Sequence, residues 1–515
     1  MSRLLRTVSG SAVVLAIVLG SPGIASADGP TILGAGSTWS QVAIMQWQAD
    51  VHRIGLSVNY QGVGSTQGRA LFAGGTVDFG VSEIPYQPED NKPKRNFAYL
   101  PIVAGGTSMM YNLKTPSGQQ IRSLTLSATN IALIFTGKIT KWNDKRLKAD
   151  GNPDLPNLPI RLVVRSDGSG TSAQFTRYMH ESAPGVWNPF TKACGVSTPQ
   201  DGISFYPYGR NGCLPNAIGQ RGSDGVANYV ANPGLGVGAI GYVEAAYAIL
   251  KGMPVVGVKN RSGNYALPTA QNVATALQHA TLNADSTQEL EGVYIAPEAF
   301  AYPISSYSYM IVPTEQLDPA RGDVLGQFIN YFACTGQQAA QRLGYSPMPP
   351  RLVQFALAAE KKIPGAPNPP AITPSACPNP TVTGDFKLGS SVAADNVFPN
   401  TDLGQKTFEQ NNTNTNTNTQ TGTQTTTGTQ TTTGTQTTTT TTSGTKGSDP
   451  TVTTVNGQVL PPGTELLTQE SLKPLRAAAL QEIQGMDNPG KTALIIAAIV
   501  VLAVVLTPMA LRFRK

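Results

Sequence analysis

Arg165-Ser166-Asp167-Gly168-Ser169-Gly170-Thr171-Ser172 brings a guanidinium, a carboxylate, four hydroxyls and two glycines into one short stretch. Leu162-Val163-Val164 before it reads as a short buried strand. Phe175, Tyr178 and Met179 after it recur at helical spacing, which predicts a helix over 171–181. The octapeptide is then a strand-to-helix turn with its polar groups at the helix start. Unpaired amides and the positive end of the helix dipole converge there, and glycines let a backbone approach closely. Arg165 adds a planar fork of donors, and Asp167 is near enough in sequence to hold that fork. The chemistry is that of a small oxyanion site. Taken alone, the same residues could equally be a tight turn whose Ser and Thr cap a helix.

The turn has company. Gly34-Ala35-Gly36-Ser37-Thr38-Trp39 follows Thr31-Ile32-Leu33 and precedes a predicted helix through Val42, Met45 and Trp47. Val58-Asn59-Tyr60-Gln61-Gly62-Val63-Gly64-Ser65 is a third β-rich run ending in glycines and a serine. Val77-Asp78-Phe79-Gly80-Val81-Ser82-Glu83 ends a further strand on a carboxylate. Three turns that each set a hydroxyl on a helix N-terminus point to one site, where amides and hydroxyls surround an anion.

With these motifs in hand, the chain resembles the periplasmic phosphate-binding proteins of ABC-type phosphate uptake systems, the PstS-like solute-binding family. The resemblance runs over roughly residues 31–363. It includes Phe135-Thr136-Gly137-Lys138-Ile139-Thr140-Lys141-Trp142-Asn143-Asp144, Gly222-Ser223-Asp224-Gly225-Val226, Gly238-Ala239-Ile240-Gly241-Tyr242-Val243-Glu244 and Tyr331-Phe332-Ala333-Cys334-Thr335-Gly336. It implies an α/β, two-lobed periplasmic-binding-protein fold, type II-like, with the ligand in the cleft. The binding domain would span 28–363, with one lobe at about 28–115 and 240–363 and the other at about 116–239. Carried over by motif, the phosphate ligands would be Thr38, Trp39 through its backbone N–H, Ser65, Glu83, Arg165, Ser169, Gly170 and Thr171. Asp167 would orient Arg165. The chain departs from the family at Glu83, where the pattern has aspartate. In the family that carboxylate accepts the proton of monohydrogen phosphate and repels sulfate, which has none to give. Glutamate keeps the acceptor and reaches one methylene farther.

The two ends predict a location. Arg3 and Arg6 precede an apolar run at Ala12–Leu19, and Ala25-Ser26-Ala27 reads as a cleavage signal, which makes 1–27 a signal peptide. Residues 493–511 carry no charge and, at ~1.5 Å rise per residue, would span about 28 Å, enough for a transmembrane helix. Arg512, Arg514 and Lys515 follow, so the C-terminus is expected in the cytoplasm and the globular part outside, on a single-pass cell-membrane protein. Residues 364–464 read as a Pro/Thr-rich disordered linker, because Asn411–Thr442 is almost wholly Thr, Gln, Asn and Gly. That low-complexity tract has an end-to-end distance of about 30 Å. Residues 465–488 carry helical periodicity and form a juxtamembrane segment.

Composition narrows the function. The 515 residues are 40% apolar and 13% charged with a net charge of +6, and no Lys/Arg cluster interleaves with aromatics, so nucleic acid is not an expected partner. The four cysteines, Cys194, Cys213, Cys334 and Cys377, allow three pairings in an exported protein. Cys194–Cys213 closes the loop-rich segment 183–221 and leaves Cys334–Cys377 to pin the proline-rich exit. With no CxxC pair and three scattered histidines, neither a metal nor any other cofactor is expected. Thr136-Gly137-Lys138-Ile139 fails as a P-loop, Gly168-Ser169-Gly170 fails as a nucleophile elbow, and phosphoryl transfer lacks its metal-binding carboxylates; an enzyme is not expected. The expected function is a membrane-tethered receptor that captures inorganic phosphate for ABC permease subunits. The alternative is a surface-anchored protein that keeps the fold for sensing, storage or cell-surface interaction.

Overall fold

Short runs of small, β-branched and aromatic residues form eight strands that join in one mixed sheet. They are β1 (Ile32–Gly36), β2 (Val58–Gly62), β3 (Phe79–Ser82), β4 (Phe97–Asn112), β5 (Arg161–Arg165), β6 (Ile218–Gln220), β7 (Ala239–Glu244) and β8 (Ser305–Pro313). The sheet order is β2-β1-β3-β8-β4-β7-β5-β6. This computed structural model describes residues 29–199, 201–388, 397–398 and 400–403, together with an isolated antiparallel pair of two-residue strands, Thr454–Val455 and Gln458–Val459. The expected signal peptide, the Thr-rich tract, the 465–488 segment and the apolar stretch 493–511 lie outside the described residues. Among the described residues no helix is long and apolar enough to cross a membrane.

Strand β1 pairs in parallel with β2 and β3, and β5 pairs in parallel with β6 and β7. Between these two parallel groups run β8 and β4, antiparallel to their neighbours. The long β4 serves both groups: residues 97–106 face β8 and residues 107–112 face β7. Pro101 has no N–H to give to the ladder, and the β4–β8 register slips there, between Ser308 and Tyr309. Ser308 therefore sits at an irregularity next to the end of β3.

Four helices start directly beyond the carboxyl ends of parallel strands: α1 (Gln41–His52) after β1, α2 (Ser65–Ala73) after β2, α3 (Gly170–Ser182) after β5 and α4 (Gly222–Ala231) after β6. In open α/β sheets the crevice outside these ends is where ligands bind. Helix α1 buries Ala43, Ile44, Trp47 and Val51, while Met45 is 55% exposed. Of the residues named for this helix, Trp47 is buried, Val42 packs part-buried against the core, and only Met45 faces solvent. Helices α5 (Ala245–Lys251), α6 (Pro319–Ala333) and α7 (Pro350–Glu360) complete the parts used below.

Both disulfides form, Cys194–Cys213 and Cys334–Cys377. The packed chain continues past residue 363 into the segment whose composition predicts a disordered linker. Proline-rich backbone has few N–H groups to satisfy, so it can lie against a helix without a ladder. Beyond the Cys377 link, Asn379 Nδ2 donates to the carbonyls of Ala333 (3.2 Å) and Met348 (3.1 Å). Farther on, Phe398 and Leu403 are buried, Thr401 Oγ1 accepts the Val255 N–H (3.0 Å), and the Asp402 N–H reaches the Arg122 carbonyl (2.8 Å).

Candidate functional site

Beyond β1, the Ser37 hydroxyl accepts the N–H groups of Trp39 (2.9 Å) and Ser40 (3.4 Å), which turns the chain into α1. The Trp39 indole is fully buried; Nε1 donates to Thr107 Oγ1 (3.2 Å) and the ring meets Tyr345 edge-on at 5.7 Å. The side chain is an anchor, and its backbone N–H, the group named for the ligand, is already engaged by Ser37. Thr38 is the outward-reaching residue of this turn. Its Oγ1 donates to Ser223 Oγ (3.2 Å) and accepts the Ser223 N–H (3.0 Å), and its carbonyl accepts the Tyr247 hydroxyl (2.5 Å).

Arg165 ends β5 with 1% of its surface exposed. Asp167 grips the fork bidentately, Nε to Oδ1 at 2.7 Å and Nη2 to Oδ2 at 2.5 Å, and Oδ1 also accepts the Gly222 N–H at 3.1 Å. This leaves Nη1, which points to the hydroxyls of Thr171 and Ser223, each at 3.4 Å. The Tyr242 hydroxyl braces the turn, accepting the Arg165 N–H (3.1 Å) and sharing a hydrogen bond with Ser172 Oγ (2.7 Å). Ser169 Oγ accepts the Ser172 N–H (3.1 Å) as the cap of α3.

The third group joins the two turns. Gly64 has φ +94°, and an added Cβ there would lie 2.6 Å from Asp167 Oδ2, so the start of α2 sits directly on the Arg165 turn. Ser65 Oγ accepts the Gly170 N–H (3.0 Å) and donates to Glu83 Oε2 (2.8 Å). Glu83 Oε1 accepts from Ser308 Oγ (2.9 Å). The carboxylate is buried, with hydroxyls and no cation in contact. Burial raises its pKa above the ordinary glutamate value, against the lowering effect of Ser37, Ser65, Ser308 and, through space, Arg165. Gly170 makes room for it: a Cβ there would come within 2.2 Å of Glu83 Oε2 and 2.9 Å of Ser65 Oγ.

Hydrogen bonds thus bring Thr38, Ser65, Glu83, Arg165, Gly170, Thr171 and Asp167 together at the carboxyl ends of β1, β2, β3 and β5, while Trp39 and Ser169 sit beside them with the Trp39 N–H and the Ser169 hydroxyl oxygen engaged in their own turns. Ser37, Ser223 and Ser308 join the site without a role assigned from sequence, although Ser37 and Ser223 lie within the Gly34–Trp39 and Gly222–Val226 motifs. Nothing local marks Ser308, because only the β3–β8 register carries it to Glu83. Chemically the arrangement is a buried nest of hydroxyls and amides around one guanidinium, with two carboxylates, Asp167 and Glu83, beside it. Among the described residues no group of three His, Cys, Asp or Glu is placed to hold a metal ion.

The fold is the mixed α/β fold of periplasmic binding proteins. Two solved structures share it at a TM-score of 0.50: a high affinity periplasmic phosphate-binding protein bound with phosphate, 20% identical, covering 64% of this chain and 93% of that one; and the ancestral soluble variant of the human phosphate binding protein, 19% identical, covering 66% and 100%. A family model described as a PBP superfamily domain matches residues 21–335. The phosphate-binding protein PstS of Xylella fastidiosa is 31% identical over 325 residues, 63% of this chain and 83% of the relative. That of Haemophilus influenzae is 30% identical over 342 residues, 65% of this chain and 94% of the relative. The chain belongs to the PBP superfamily, among the PstS-like phosphate-binding proteins.

Proposed function

We propose that this protein is an extracytoplasmic receptor that captures inorganic phosphate and hands it to an ABC permease. The observation that carries the reading is Arg165 Nη1, fully buried, held by Asp167 and facing two hydroxyls at the helix starts of α3 and α4. A desolvated guanidinium with planar geometry suits a phosphate, and the hydroxyls complete its shell. Thr38, Ser65, Ser169, Gly170 and Thr171 are the remaining ligands, and of these Thr38, Ser65 and Gly170 would exchange their present acceptors, Ser223, Glu83 and Ser65, for the anion. Glu83 is the acceptor that a protonated phosphate can satisfy and sulfate cannot. The names of the PstS relatives support the same ligand. Residues 493–511, followed by Arg512, Arg514 and Lys515, support a single-pass anchor with the receptor outside the cell.

Calorimetric titration of the full chain tests the reading. Phosphate should bind at micromolar concentration or tighter, about −8 kcal/mol or better, and sulfate far more weakly. Equal affinities would remove the role given to Glu83, and no binding of either anion would overturn the receptor reading.

A further inference from the structure

The first turn of α4 faces the same point as the starts of α1 and α3, and the sequence reading assigns it no ligand. Its Ser223 is fully buried. The backbone N–H goes to Thr38 Oγ1 (3.0 Å). The hydroxyl oxygen accepts from Thr38 Oγ1 (3.2 Å) and from Arg165 Nη1 (3.4 Å), which occupies both of its lone pairs. The hydroxyl proton is left, and among the described residues no acceptor takes it. A buried donor without an acceptor is costly unless something fills the place in front of it.

Thr171, across Arg165, stands in the mirror position: its Oγ1 accepts from the same Nη1 at 3.4 Å and, among the described residues, no acceptor takes its own proton. Two spare O–H donors thus flank one guanidinium nitrogen. The helix start is fixed as well, because the Gly222 N–H is tied to Asp167 Oδ1 (3.1 Å), the carboxylate that holds the Arg165 fork. Asp167 in this way sets Arg165 and Ser223 in register with each other.

We propose that Ser223 is a further ligand of the anion, its hydroxyl donating to the oxygen that Arg165 Nη1 also holds. The proposal rests on the phosphate reading above. Ser223 then does for the α4 side what Thr171 does for the α3 side, and Thr38 links it to the β1 turn.

The test is a titration of the full chain with inorganic phosphate, for wild type, Ser223→Ala, Thr38→Ala and the double variant, with thermal melts of each. Loss of one hydrogen bond to a charged ligand should weaken Ser223→Ala binding about 10- to 100-fold with the melt nearly unchanged. Ser223→Thr, which keeps the hydroxyl, should retain most of the affinity and guards against a packing artefact. In a Thr38→Ala background the Ser223→Ala change should cost a further loss. No further loss there would mean that Ser223 only holds Thr38, and the proposal falls. Wild-type affinity in Ser223→Ala, with Arg165→Ala inactive, overturns the proposal and leaves the phosphate reading standing. A wild-type chain that takes up no phosphate brings down both.

Discussion

The two walls of the site solve the same problem in opposite ways. On the β5 wall a carboxylate, Asp167, meets a guanidinium, and the pair is bidentate and closed on itself. On the wall built from β1, β3 and β8, Glu83 has no cation in contact and is held by hydroxyls from Ser65 and Ser308. The first wall is fixed in charge and position. The second carries no fixed charge partner, and burial favours the protonated form of its carboxyl while the hydroxyls favour the ionised one. In the proposed reading an anion between them would meet the Arg165 guanidinium on one side and the Glu83 acceptor on the other, so that recognition of charge and recognition of protonation state would fall to different walls.

Removing the fixed charge should have the largest effect. Arg165→Ala strands Asp167 as an unpaired carboxylate beside the ligand, and phosphate affinity should fall by about 3–5 kcal/mol, below detection in calorimetry. Arg165→Lys should recover only part, since a point charge cannot replace the fork. Normal binding in Arg165→Ala would dissolve the contrast between the walls.

The seam between them comes next. Gly170→Ala places a Cβ 2.2 Å from Glu83 Oε2, so a wall must shift, and binding should weaken by about 1–3 kcal/mol. Adding Glu83→Asp shortens the opposing side chain and should restore most of the loss. If the double variant is no better than Gly170→Ala, the extra methylene of Glu83 is not what fills that space.

A smaller change in affinity but a larger one in selectivity is expected from Glu83→Gln. An amide can donate as well as accept, so sulfate should gain while phosphate falls by less than about tenfold, ~1.4 kcal/mol. The same variant carries a pH prediction. Burial raises the Glu83 pKa, so folding favours its protonated form, and the ligand-free protein loses stability as pH rises through that raised value. Glu244, also raised by burial, and Glu360, raised to about 8, slope in the same direction. The difference between wild-type and Glu83→Gln melting curves across pH isolates the Glu83 share. An identical pH slope in both would mean that Glu83 ionises in the folded protein as it does when unfolded.

Asp167→Asn is expected to matter least, about 1 kcal/mol, because Arg165 keeps its charge and loses only its clamp and the Gly222 tie. A loss as large as that of Arg165→Ala would make clamp and charge one indivisible unit.

What could be read from the sequence was local. The Arg165–Asp167 pair lies two residues apart, and the Ser and Thr hydroxyls stand at strand-to-helix turns whose shape depends on a few neighbours. Their convergence followed from the likeness of the motifs to one another. Ser308 was out of reach because the β3–β8 register that sets it beside Glu83 joins strands distant in sequence. The free proton of Ser223 was equally hidden, since it emerges only after Thr38 and Arg165 have taken the oxygen. Composition placed the linker boundary too early. Proline content marks a segment that cannot form regular structure, and such a segment can still be packed, as Cys377, Asn379, Phe398 and Leu403 are.

That packed exit has a mechanical consequence. A pull on the chain from beyond residue 403 acts first on the Thr401 and Asp402 hydrogen bonds and on the buried Phe398 and Leu403 side chains, worth about 1.5–3 kcal/mol each. Next in line are the hydrogen bonds of Asn379 to the Ala333 and Met348 carbonyls and of the Thr381 hydroxyl to Met348. Only then does the load reach the covalent stop at Cys377–Cys334, behind α6, and no proposed anion ligand lies on that path. Tension from that side would spend itself on these contacts before it could distort the Arg165 turn.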